Sequence, residues 1–259
     1  MIKAKSVHIG TGSYVSEKAD IQINGDFYLG DYSKLGPCEI RGNNISFGDH
    51  LYHSKGLVVG GGGHQGPDAN LTVGNRCTIH NNFINVCEPV QIGDDVGLSL
   101  GVSILTHGYW LNVMNGFPAK FDGVSIRPGV IVGYNSTILP GVKIGMCAVI
   151  GANSVVTKRL EGLKIYAGNP AREIGEIESP SEDEQRDMLG KIVAKYKRLA
   201  EFQGVDVNLL VDFPYVKVNG FFINVLTLEH EGEESRESDH FRDFMRKFGI
   251  RIYTKRPFG

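Results

Sequence analysis

Cysteine is scarce: Cys38, Cys77, Cys87 and Cys147 are the only four in 259 residues, with no CxxC pair among them. So few and so scattered, they exclude a disulfide framework and a cysteine metal site, and free thiols are expected. Charge of one sign is also lacking, since 27 Lys plus Arg stand against 29 Asp plus Glu. That balance gives no footprint for nucleic acid or for an anionic membrane surface, and points to a small, neutral partner. No apolar run approaches a membrane span, and Met1-Ile2-Lys3-Ala4-Lys5 leads into alternating residues rather than a secretory segment, so a cytoplasmic protein is expected. Tryptophan occurs once, at Trp110.

Glycine is abundant instead, with 34 residues, and its spacing carries the information. From Ile126 an aliphatic returns every six positions through Val132, Ile138, Ile144, Ile150 and Val156, and Gly133, Gly145 and Gly151 directly follow three of them. The same frame runs through Ile9, Val15, Ile21 and Phe27, shifts by two to Leu29 and Leu35, and returns at Ile92, Leu98 and Ile104. Helices repeat at three and four and amphipathic strands at two, so a strict six fits neither. A short strand with one inward aliphatic, followed by a tight corner, does fit. Three such sides close a coil, and stacked coils bury the aliphatics in columns. The expected class is therefore an all-β solenoid.

Ile138-Leu139-Pro140-Gly141-Val142-Lys143-Ile144-Gly145, then Val149 to Lys158, then Ala167-Gly168-Asn169-Pro170-Ala171-Arg172, closely resembles the hexapeptide-repeat acyltransferases, in particular the galactoside, maltose and xenobiotic O-acetyltransferases. The likeness is strong over residues 70–177 and rests on the repeat alone over residues 5–60. It implies a left-handed parallel β-helix, a homotrimer with active sites between subunits, acetyl-CoA as cosubstrate without a metal, and an extended loop beside a catalytic histidine. The six-residue frame lapses between Ile104 and Ile126, across Thr106-His107-Gly108-Tyr109-Trp110, which supplies both loop and histidine.

Acetyl transfer needs a base to take the acceptor proton, and an imidazole suits that task. His107 follows Thr106 at the family's position and is the expected base; the other seven histidines lack that context. His53, His64 and His80 match no metal-ligand spacing. Gly60 to Gly63, followed by His64, lacks the Lys-Ser/Thr of a phosphate loop and reads as a loop leaving the coil.

By the resemblance, Asn82 stands near the asparagine that contacts the acceptor, where an amide can hydrogen-bond a hydroxyl or oxyanion; its bland alternative is a turn in the coil. Glu88 stands two residues short of the family's acidic position. Tyr109 and Trp110 offer ring faces for a sugar, or else anchors for the loop. Gly151 and Ala152 match the stretch along the pantetheine arm, Thr157 and Lys158 lie near it, and Arg172 matches a basic residue facing the nucleotide phosphates. Tyr134 departs from the family, which has a small residue there. The acceptor implied is a sugar hydroxyl, with an amino-sugar N-acetyltransferase or a non-catalytic binding solenoid as alternatives.

Residues 1–177 form the expected β-helix domain and 178–259 an appendage. Ser181-Glu182-Asp183-Glu184 is a capping box opening a helix over 181–203. Its stripe of Leu189, Ile192, Val193, Tyr196 and Leu199 is expected to cover the solenoid or a neighbouring subunit. Asn219-Gly220 between Tyr215–Val218 and Phe221–Ile223 predicts a hairpin. A second helix, with Phe241, Phe244, Met245 and Phe248 on one face, ends at Gly249. The whole reads as a small α+β module without recognisable chemistry.

Overall fold

The computed structural model describes residues 1–256; the last three positions of the 178–259 appendage lie outside the described residues. The chain divides into two compact units, Met1–Ile177 and Glu178–Gly259.

The first unit contains sheets of eight, seven and nine strands, here A, B and C, which the chain visits in rotation as far as Val155–Val156 before its last two strands both join sheet C. Up to Lys164–Ala167 each strand of these sheets pairs in parallel with the strand one turn of the coil earlier, as Lys143-Ile144 pairs with Ser125-Ile126. This three-sided parallel coil is what a six-residue period demands, because each side uses one hexapeptide for strand and corner. Register stacks the inward residues directly. Ile21, Ile40, Val59, Ile84, Ile104, Ile138 and Val156 form one continuous buried column in sheet A. Within these three sheets only the last strand, Arg172–Glu176, runs antiparallel, against Lys164–Ala167.

The corner between sheets B and C shows why glycine is needed. Oδ1 of Asp31, Asp49, Asn75 and Asp94 accepts, in turn, the backbone N–H of Thr11, Asp31, Asp49 and Asn75, each at 2.7 or 2.8 Å. The side-chain ladder satisfies corner amides that no strand reaches. A glycine precedes each step: a Cβ on Gly48 would lie 2.4 Å from Asn75 Oδ1. The ladder stops where Pro128 takes the stacking position over Gly93 and offers no side-chain oxygen.

Column C contains one polar exception. His53 stacks between Leu35 and Ile79, is fully buried, and accepts the Leu57 N–H at Nε2. Burial pushes its pKa down to about 4, because the charged ring cannot be solvated there.

Two loops leave the coil at the corner between sheets A and B. One covers residues 61–70, between strands Leu57–Gly60 and Leu71–Val73. The other leaves after Ser103–Ile104 and re-enters at Val124–Ile126, two residues before the frame resumes at Ile126. Its stem is an antiparallel pair, His107 against Phe121 and Gly108 against Lys120.

The second unit has its own core. Helix α1 spans Glu182–Phe202 behind a complete Ser181–Glu184 capping box. Its stripe, expected on the coil or a neighbouring subunit, packs inside this unit instead: Leu189, Val193 and Tyr196 are buried with Val216, Val218, Phe221, Ile223, Phe241 and Met245. The expectation failed because the hairpin and second helix together expose enough apolar surface to need that stripe themselves. The Asn219-Gly220 turn has both residues at positive φ, and strands Leu209–Asp212 and His230–Glu231, which no alternation announced, extend the hairpin to four strands. Helix α2, Arg236–Met245, buries Phe241, Phe244 and Met245, whereas Phe248 lies in a following 3-10 turn and is 39% exposed.

Candidate active site

His107 stands at the root of the long loop, and its neighbours come from three successive coils. Asn85, at the end of strand Phe83–Asn85 and only 2% exposed, reaches its Nδ1 at 2.8 Å. The orientation of that amide is fixed by what surrounds it. Asn85 Nδ2 faces two carbonyls, Gly60 O at 2.9 Å and Gly62 O at 3.3 Å, so it must be the donor end. Oδ1 therefore points the other way, accepting from the Thr106 hydroxyl at 2.5 Å and from the Cys87 N–H at 3.3 Å. An acceptor at Nδ1 puts the imidazole proton on Nδ1 and leaves the Nε2 lone pair free.

Nε2 faces the glycine loop. A Cβ built on Gly62 would lie 3.3 Å from Nε2 and 3.4 Å from Cε1. On the loop side, Phe121 stacks on the imidazole with ring centroids 5.8 Å apart and 13° between planes, and Tyr109 lies at 5.5 Å. Both aromatics are about half exposed. The result is an imidazole of defined tautomer with apolar ring faces beside it.

Of the residues singled out from the sequence, Glu88 shares the corner with His107; its N–H donates to Thr106 Oγ1 at 3.1 Å. Trp110, 90% exposed, stands out on the loop, whose face of Gly108, Tyr109, Leu111, Phe117 and Lys120 borders a hollow of about 390 Å³.

Asn82 is elsewhere. It lies at the opposite end of the same sheet A strand, on the corner between sheets C and A. There its Oδ1 accepts from His80 N–H and its Nδ2 donates to Ser99 O at 2.7 Å. It is buried and fully engaged in the coil, so the amide at the imidazole belongs to Asn85, three residues on. Asn85 was missed because the six-residue frame lapses around it: Ile84, which stacks on Ile104, stands five residues after Ile79 and eight before Ile92, so stepping by six does not reach that strand.

The cofactor candidates fall into two groups. Lys158 and Arg172 line one groove of about 430 Å³ with Arg159, Glu161 and Glu173, and Thr157 precedes Lys158 on the corner that carries His107, two coils further along. Tyr134, Gly151 and Ala152 lie across sheet A, at the C-to-A corner; Asn153 N–H there donates to Tyr134 O, and the Tyr134 ring is 57% exposed. Among the described residues, no three His, Cys, Asp or Glu side chains cluster to hold a metal, and no helix is long and apolar enough to cross a membrane.

The family described as "Bacterial transferase hexapeptide (six repeats)" matches residues 123–158. Protein CapG of Staphylococcus aureus is 40% identical over 121 residues, 42% of this chain and 67% of CapG. The putative acetyltransferase YvoF of Bacillus subtilis is 34% identical over 85 residues, 33% of this chain and 46% of that protein, so the chain spans only about half of this relative's length. Among solved structures, the polySia-specific acetyltransferase NeuO superposes with a TM-score of 0.51 at 22% identity, over 70% of this chain and 83% of that one, a likeness of fold.

Proposed function

The chain belongs to the hexapeptide-repeat acyltransferase family, and on that premise we propose that it moves an acetyl group from acetyl-CoA to a hydroxyl of a sugar-like acceptor, with His107 as general base. In this reading the coil is left-handed, three chains assemble, and the long loops complete clefts between subunits, within the cytoplasm. Residues 178–259 form a separate module outside the chemistry.

His107 Nε2 takes the acceptor hydroxyl proton as that oxygen attacks the thioester carbon. The new C–O bond forms, the C–S bond breaks, and the imidazolium returns its proton to the departing thiolate. Asn85 holds the ring in the reactive tautomer throughout. Lys158 and Arg172 hold phosphates of the cosubstrate, in a groove where Arg159 is paired with Glu161 and, among the described residues, these two cations carry no ion pair to a groove carboxylate. Tyr109, Trp110 and Glu88 hold the acceptor. Tyr134, Gly151 and Ala152 line the pantetheine path contributed from another edge of the trimer.

The observation that supports this most is the Asn85 amide, whose two ends are dictated by carbonyls on one side and a hydroxyl and imidazole on the other. CoA thiol release, measured over a panel of sugars, amino sugars and hydroxylated antibiotics, should appear with the unaltered protein and collapse in His107→Ala. Full activity in His107→Ala would sink the base assignment, and the best acceptor decides between O- and N-transfer.

A further inference from the structure

Gly61, Gly62 and Gly63 are there for different reasons. Gly61 and Gly63 have φ of +89° and +82°, which L side chains rarely adopt, and a Cβ on them would press on Asn85 Nδ2 and on Cys87 Sγ, at 2.8 and 2.3 Å. The fold itself demands glycine at both. Gly62 is under no such demand. Its φ lies outside the left-handed range, and the only atoms a Cβ would meet are Nε2 and Cε1 of His107. The ring is not free to yield, held by Asn85 at Nδ1 and stacked on Phe121. A methyl at 62 would therefore stand against the reactive nitrogen.

We infer that Gly62 is the specificity-determining position of the acceptor site, keeping the space beside His107 Nε2 open for a hydroxyl flanked by bulk: a secondary hydroxyl on a substituted ring carbon. The inference rests on His107 acting as the base. A primary alcohol presents one substituent and can approach Nε2 from the side away from the loop, whereas a ring hydroxyl carries a neighbouring carbon on each side. One of these must occupy the volume that glycine leaves empty. Phe121 and Tyr109, half-exposed beside the imidazole, supply apolar faces for such a ring.

Gly62→Ala tests this, with Gly66→Ala as control, since a Cβ at 66 meets only Gly63 O at an ordinary 3.6 Å. Acetyl transfer to secondary ring hydroxyls should fall between about ten- and a hundredfold in Gly62→Ala, transfer to primary alcohols should change little, and Gly66→Ala should match the unaltered protein. A uniform loss across both classes, or none, overturns the inference. A second readout needs no acceptor: carbethoxylation of His107 by diethyl pyrocarbonate attacks the free ring nitrogen, and peptide mass spectrometry follows it site by site. It should slow at His107 in Gly62→Ala and not in Gly66→Ala; an unchanged rate refutes the crowding. Slowed modification without turnover on any acceptor, in any variant, would instead refute the transferase reading while leaving the crowding of Nε2 intact.

Discussion

Replacing Asn85 by alanine removes five hydrogen bonds at once, two donated to Gly60 O and Gly62 O and three accepted from Thr106, His107 and Cys87. Their losses are unequal. Gly60 O keeps the Val86 N–H, and Thr106 Oγ1 keeps Asn85 O and the Glu88 N–H. Gly62 O, on an exposed residue, and the half-buried His107 Nδ1–H and Cys87 N–H lose the protein partner described for each. With about 1–3 kcal/mol for a polar group left unpaired when buried and less where water reaches it, a stability loss of about 2–5 kcal/mol is expected, read by urea unfolding. Catalysis should suffer more than stability, because the ring loses both orientation and tautomer. A general base contributes about a hundred- to ten-thousandfold, so kcat should fall by about that factor while KM for acetyl-CoA holds. Asn85→Asp separates the two roles. It keeps an acceptor for Nδ1–H but turns an oxygen toward two carbonyls, and its negative charge favours the imidazolium, so the acidic limb of the pH–rate profile should move to higher pH. An Asn85→Ala protein that folds and retains the original kcat and pH profile would refute the argument.

Other expectations follow from the same geometry. His53 gains a proton near pH 6.5 when unfolded but only near 4 when folded, so stability present above pH 6.5 is lost as pH falls toward 4, by about 3 kcal/mol in all; His53→Leu should flatten that part of the stability curve, measured by thermal melts at stepped pH. Gly48→Ala forces a methyl against Asn75 Oδ1 and against the Gly74 and Asn75 backbone at 2.8 and 2.9 Å, and should destabilise the coil by about 2 kcal/mol or more; Gly48→Ala with Asn75→Ala relieves the side-chain clash alone and should lose somewhat less than the sum, as a double-mutant cycle would register. Lys158→Ala and Arg172→Ala should each raise KM for acetyl-CoA about tenfold at low salt, less at high salt, with little change in kcat.

The period of six determined the parallel three-sided coil and its inward columns, because a side and a corner together use six residues and the inward positions therefore recur at every sixth residue, Val130 and Val132 being followed by Ser136 and Ile138. The capping box at Ser181, the Asn219-Gly220 turn and the stop at Gly249 were equally legible, since each is local chemistry that needs no distant partner. The sequence also singled out His107, through the lapse of the frame beside it. Which amide meets that histidine, where the glycine loop lies, and what α1 covers were decided only in three dimensions. Asn82 and Asn85 are three residues apart in a strand that crosses a full side of the coil, so they emerge at different corners. Gly62 and His107 are far apart along the chain, and only the stacking of coils at one corner brings them into contact. The α1 stripe reads as apolar in sequence whatever it packs on, and its partner was settled by the competing apolar faces of the hairpin and α2.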